Sequence, residues 1–152
     1  MNSLESSVAA PLGSGFKPRA VALCIRRGNV FFLLPRSWVR GMRDLPPGTV
    51  TPLPRANRWV LGLVEQNARP LPLLDPAVSV AATASAPVAA VVLAAPDREP
   101  FGLVGADGPG HFVTIPDAAS LDEYTGWIGR VQGGLKATWW LDAGQLASNL
   151  EG

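Results

Sequence analysis

One cysteine and one histidine are all that this 152-residue sequence offers of the most versatile nucleophilic and metal-binding side chains. Cys24 alone cannot close an internal disulfide, so no disulfide framework holds the chain together, and a reducing compartment is the simplest setting. It lies inside an apolar run, where a cysteine is ordinarily a small buried hydrophobe. His111 has no second histidine or cysteine near it in sequence with which to build a zinc-type site. Charge is also scarce. Only 16% of residues are charged, and 13 basic against 12 acidic residues leave a net +1. That balance gives no global field for nucleic acid, whose binding is driven by phosphate neutralisation.

Long apolar runs are missing as well. A membrane-spanning helix needs roughly 18 or more apolar residues. The stretch 78–95 comes closest, and Ser79, Thr83, Ser85 and Pro87 interrupt it. The opening "MNSLESSVAAPLGSGF" has no basic segment ahead of an apolar one, which excludes a signal-peptide reading. The expectation is a cytoplasmic protein with a flexible N-terminal tail over 1–18. Catalytic motifs are equally absent. No serine sits in a glycine-flanked elbow. "GADGPG" is not followed by Lys-Ser/Thr and opens no helix, so it cradles no phosphate. Asp122 and Glu123 are adjacent and read as a solvated turn. The sequence therefore points away from an enzyme and implies no cofactor and no metal.

What the sequence does contain is apolar material cut into short lengths. It is 47% hydrophobic, with 16 glycines and 15 prolines spread through the apolar runs. This is the pattern of many strands joined by turns. Apolar runs over 20–25 and 30–34 flank Arg27-Gly28-Asn29, a hairpin turn. Both faces of the first run are apolar, as in strands buried between layers or in closed barrels. The segment from Pro35 to Pro54 reads as a connection with a small edge strand at 50–53. A helical turn is expected over 57–61, then strands at 61–64 and 71–74 around a turn at 65–68. The small-residue segment 76–87 reads as a mobile loop between two strand-rich halves. Strands follow at 88–94, 101–104 and 111–115. Gly133-Gly134 signals a two-residue hairpin, and Asp142 is placed to cap a short terminal helix. The five tryptophans, Trp38, Trp59, Trp127, Trp139 and Trp140, read mainly as core. Consecutive Trp139 and Trp140 must point to opposite faces of a strand.

The ordered set of motifs resembles the CheW-like coupling domain of bacterial chemotaxis. "VTPLPRANRWVLGLVEQNARPLPLLD" is similar to that family's central signature, with Pro54, Gly62, Pro72 and Asp75 at the matching positions. "NVFFLLPRSWVRGM", "AAVVLAAPDREPFGLVGAD" and "GWIGRVQGGLKATWWLDAGQLA" resemble flanking segments in the same order, covering most of 20–150. The resemblance implies an all-β fold over 19–150: two interleaved, five-stranded SH3-like barrel subdomains packed side by side, with a short C-terminal helix. It implies a non-catalytic adaptor that binds the regulatory domain of a CheA-type histidine kinase and the tips of chemoreceptors. Pathways that control type IV pilus motility often hold divergent members. The kinase is met in the family by an apolar surface of barrel ends, for which the candidates here are Val39, Met42, Leu103 and Val104. The family's receptor-facing Arg-Gly turn falls on Asn67 and Ala68, and the Glu that can pair with that Arg falls on Gly41. Losing both members of the pair avoids stranding one charge, but it weakens the expected receptor contact. The prolines at 70 and 72 suit an edge strand. The alternative reading is a small β-barrel binding module for nucleic acid or a small ligand. A structural domain with no kinase contact is a third.

Overall fold

The computed structural model describes residues 15–54 and 58–151. Its strands are β1 (Val21–Arg27), β2 (Val30–Pro35), β3 (Val39–Asp44), β4 (Val60–Gln66), β5 (Arg69–Leu74), β6 (Ala89–Leu93), β7 (Gly102–Ala106), β8 (His111–Thr114), β9 (Ser120–Thr125), β10 (Ile128–Gln132) and β11 (Thr138–Leu141), followed by the helix α1 (Ala143–Glu151). They form a six-stranded sheet in the order β8-β1-β2-β11-β10-β9 and a five-stranded sheet in the order β3-β6-β7-β5-β4. The chain starts in the first sheet, builds the whole of the second, and returns to complete the first. So 76–87 does not divide two halves. It lies within the five-stranded sheet, between β5 and β6. The first sheet has six strands, one more than expected, because the chain adds β8 beside β1 before it turns into β9.

The period-2 alternation of apolar side chains explains why both sheets are needed. On β1, Ala22 and Cys24 point into a filling made with Phe16, Leu33, Ile115, Leu121, Val131 and Trp140, the inside of the six-stranded barrel. Leu23 and Ile25 point the other way. On the second sheet, Leu71, Leu73, Ala90, Val92 and Leu103 fill the five-stranded barrel, while Leu74, Val91, Leu93, Val104 and Ala106 point out of it. The two outward sets meet in a third core, between the barrels, with Phe32, Leu34, Trp127 and Leu141. Apolar residues on both faces of β1 thus serve two cores at once. Trp140 is fully buried inside its barrel, and Trp139 faces the shared core, 6.2 Å from Phe32. Trp59 and Trp127 meet at 5.2 Å, and Trp38 stands edge-on to Phe101 at 6.0 Å.

Several expectations are corrected. Phe16 is buried against Trp140 at 5.4 Å, so the barrel's filling begins before Pro18; residues 1–14 lie outside the described residues. The segment expected to be a connection contains β3, whose arginines and glycine disguise it. The edge strand expected at 50–53 is a single bridge, Thr51 to Leu63. Of the helical turn expected at 57–61, Asn57 lies outside the described residues, Arg58 and Trp59 form a turn, and Val60 already belongs to β4. The mobile loop begins as a 3-10 helix, Pro76–Val80, with Pro76 and Ala77 buried and Asp75 capping it through Ala77 N–H at 3.1 Å. Gly133 and Gly134 open a five-residue connection, not a two-residue turn. A side chain on Gly133 would run into the carbonyl oxygen of Ala118 at 2.3 Å. The Asp142 cap is present: its Oδ1 accepts from Gln145 N–H at 3.2 Å, and its Oδ2 accepts from the Tyr124 hydroxyl at 3.0 Å.

Candidate functional site

Each sheet leaves one edge strand beside the other sheet: β3 on the five-stranded sheet and β8 on the six-stranded one. The turn 107–110 carries the chain from β7 to β8 and brings these edges together, with Gly110 N–H donating to Met42 Sδ at 3.1 Å. On the β3 wall, Val39 and Met42 are half-buried, resting on the shared core. On the β8 wall, Phe112 is 56% exposed, with the Arg36 guanidinium 5.5 Å from its ring centre. Val88, also 56% exposed, lies beside Met42 and Asp107. Beyond Val39 the surface continues into a depression lined by Lys17, Arg36 and Arg40 and by no carboxylate. The result is a groove with apolar contact points, a cationic end, and the carboxylates of Asp44 and Asp107 beside Met42. An exposed apolar strip with a charged rim is the composition of a protein-contact surface.

Asn67 and Ala68 are both exposed and both at positive φ, 51° and 65°. That is the type I′ geometry of a two-residue hairpin, which favours Asn at the first position and Gly at the second. Neither residue carries a charge to the surface. A polar bridge nevertheless spans the gap between the outer strands of this barrel. Arg43 on β3 donates to the carbonyl of Glu65 at 2.9 Å and to Gln66 Oε1 at 3.1 Å, one residue before Asn67. Gly41 sits at a bulge with φ 148°. Space around it is open, so its backbone, not crowding, is what resists a side chain there.

Of the four apolar candidates, Leu103 and Val104 are corrected. Both lie on β7, in the middle of the five-stranded sheet, 0% and 1% exposed. Leu103 fills the barrel and Val104 the shared core. A strand covered on both faces offers nothing to a partner. Leu73, on the neighbouring β5, is likewise core.

The signature positions have structural reasons. Gly62 lies at a bulge of β4, and a side chain there would strike the Thr51 carbonyl at 2.3 Å. β5 is not an edge strand: it lies between β4 and β7. Its parallel pairing with β7 covers only Leu73 and Leu74. Pro70 and Pro72 therefore fall on the half without that ladder, where a missing N–H costs nothing. Asp75 leads to the residue that sequence reasoning missed.

Arg27 ends β1 and is 1% exposed. Its Nε and Nη2 fork onto the two carboxylate oxygens of Asp75 at 3.1 and 2.7 Å, and Nη1 meets Asp107 at 2.5 Å. Asp107 also accepts from Gly28 N–H at 2.6 Å. One guanidinium of the six-stranded sheet thus ties the ends of β5 and β7 to its own hairpin. Burial works to lower the Arg27 pKa, but its bonds and attraction to Asp75 and Asp107 outweigh this and hold it above the usual value. The available signal was an arginine closing an apolar run, with two aspartates closing other runs.

Two other described groups have shifted pKa values. Burial pushes the Cys24 thiol up, which disfavours the thiolate nucleophile. Burial, then the charge of Asp142, pushes the Tyr124 phenol up. His111 is exposed. Among the described residues no three His, Cys, Asp or Glu side chains are placed to share a metal ion, and no helix is long and apolar enough to cross a membrane.

No family model matches the sequence, and no curated protein matches it. Among solved structures, the chain is similar to the scaffolding protein TtCheW from Thermoanaerobacter tengcongensis, with a TM-score of 0.60 over 81% of this chain and 88% of that one. The identity is 10%, so the likeness is one of fold: two small SH3-like barrels side by side.

Proposed function

We propose that this protein is a non-catalytic chemosensory adaptor that couples a CheA-type histidine kinase to chemoreceptors. The observation that carries the reading is the fold likeness to a scaffolding protein, which extends over 81% of this chain and 88% of that one. The groove supports it: an adaptor works by surface contact, and here the edge strands β3 and β8 carry Val39, Met42 and Phe112 beside a cationic depression. Val39 and Met42 are the proposed kinase contacts. The receptor contact is weakened, because Asn67 supplies neither the charge nor the donor fork of an arginine. A pathway governing type IV pilus motility is the proposed setting, tested by twitching in a strain lacking the gene.

The test of the main reading is a calorimetric titration with the regulatory domain of the CheA-type kinase from the same genome. Saturable one-to-one binding supports an adaptor, and no binding to any such kinase removes it. A second reading has one observation in its favour. A mainly apolar pocket on the six-stranded sheet is lined by Cys24, Phe31, Leu33, Val113 and Leu135, with His111, Lys136 and Thr138. Apolar pockets with a few polar groups commonly hold small ligands. The near-neutral net charge argues against nucleic acid.

A further inference from the structure

Among the described residues Arg27 is the one arginine the core encloses, and its carboxylate partners stand just past the ends of two different strands of the other sheet. A buried ionic cluster is seldom the most stabilising filling for its space, which directs attention to what the cluster holds in place. Asp107 begins the turn 107–110, and it is fastened at three points to the six-stranded sheet. Its carboxylate meets Arg27 and Gly28 N–H, and its own N–H donates to the Arg26 carbonyl at 2.9 Å. Three residues on, Gly110 lies so close to β1 that a side chain would stand 2.9 Å from the Cys24 carbonyl and 3.0 Å from Leu23. From that fixed position, Gly110 N–H reaches Met42 on one wall of the groove. Two residues later the chain places the exposed Phe112 on the edge strand β8.

We infer that Arg27 is a positioning residue for the groove: by anchoring Asp107 it sets the turn that spaces Met42 from Phe112. Its importance for binding rests on the adaptor reading, but its effect on the groove does not. Asp75 completes the anchor. It takes the other side of the guanidinium and ties it to the 3-10 helix through Ala77 N–H. The guanidinium therefore cannot follow the turn if the turn moves. A lysine, with one point of charge, could not hold both carboxylates in this fork.

The test uses the full chain carrying Arg27→Met, with the Met42 methyl and Gly110 amide followed by NMR without a partner. Both signals are expected to shift or broaden, while the Val64 and Leu71 methyls inside the five-stranded barrel hold their positions. Ile115→Val, a mild core change in the other barrel, is the control for lost stability alone and is expected to leave Met42 and Gly110 in place. If Arg27→Met does not fold, Asp107→Asn carries the same measurement, since it keeps the fork to Asp75 and loosens only the turn. In the binding titration, Arg27→Met is expected to lose about tenfold in affinity for the kinase regulatory domain. Unmoved Met42 and Gly110 signals in a folded variant, or equal movement in Ile115→Val, overturn the inference. Moved signals in a protein that binds no kinase leave the positioning role standing and remove the adaptor reading instead.

Discussion

β3 and β7 belong to the same sheet, and both carry apolar residues of the kind that meet a partner, yet only β3 is open to one. β7 reads Gly-Leu-Val-Gly-Ala and is buried at every position. β3 reads Val-Arg-Gly-Met-Arg-Asp and alternates irregularly between half-buried and exposed. The difference lies in the residues between the apolar ones. Small and apolar neighbours let β7 be covered on both faces, whereas Arg40, Arg43 and Asp44 must reach water, which holds β3 at the edge. An apolar side chain marks a contact surface only where its strand cannot be enclosed.

Placing the same charge on both strands separates them most sharply. Val104→Asp buries an unpaired carboxylate between the barrels and is expected to cost on the order of 4 kcal/mol or more, enough to abolish cooperative urea unfolding followed by circular dichroism. A folded Val104→Asp protein would show that β7 is not closed in. The next effect separates two bulge glycines. Gly62→Ala meets both the Thr51 carbonyl and a strained backbone, and is expected to cost about 2–4 kcal/mol. Gly41→Ala meets only the backbone term, about 1–2 kcal/mol. Equal midpoints for the two variants would contradict the crowding at Gly62. Val39→Asp, on the open strand, is expected to cost only about 1 kcal/mol of half-lost burial and to keep the native spectrum. The smallest change is a gain. Ala68→Gly relieves a non-glycine residue at φ 65° and is expected to add about 0.5–1 kcal/mol, read as a raised midpoint with no change in slope.

Much of the architecture was legible because burial on two faces leaves a plain mark. Ala22 to Ile25 are all apolar, and they feed two cores. Trp139 and Trp140 divide between two cores for the same reason. The Asp142 cap follows from one residue type at one place. β3 was hidden because an edge strand needs only one apolar face, and its bulge at Gly41 breaks even that alternation. Gly133-Gly134 misled because glycine serves close approach as readily as a tight turn. Val39 and Met42 are candidates from the resemblance, and both stand half-buried on β3. Phe112 and Arg36 are not, since their pairing depends on β8 joining the six-stranded sheet. Arg27 was out of reach for the deeper reason that its partners lie 48 and 80 residues away.

The most direct measurement is a calorimetric titration of the regulatory domain of the cognate CheA-type kinase into the wild-type protein and into Val39→Asp, each first shown folded by circular dichroism. The expected result is saturable binding by the wild type and its loss in Val39→Asp, with the spectra superimposable. Undiminished binding by a folded Val39→Asp would place the kinase contact elsewhere on the molecule, and a wild-type protein that binds no such kinase would contradict the adaptor function itself.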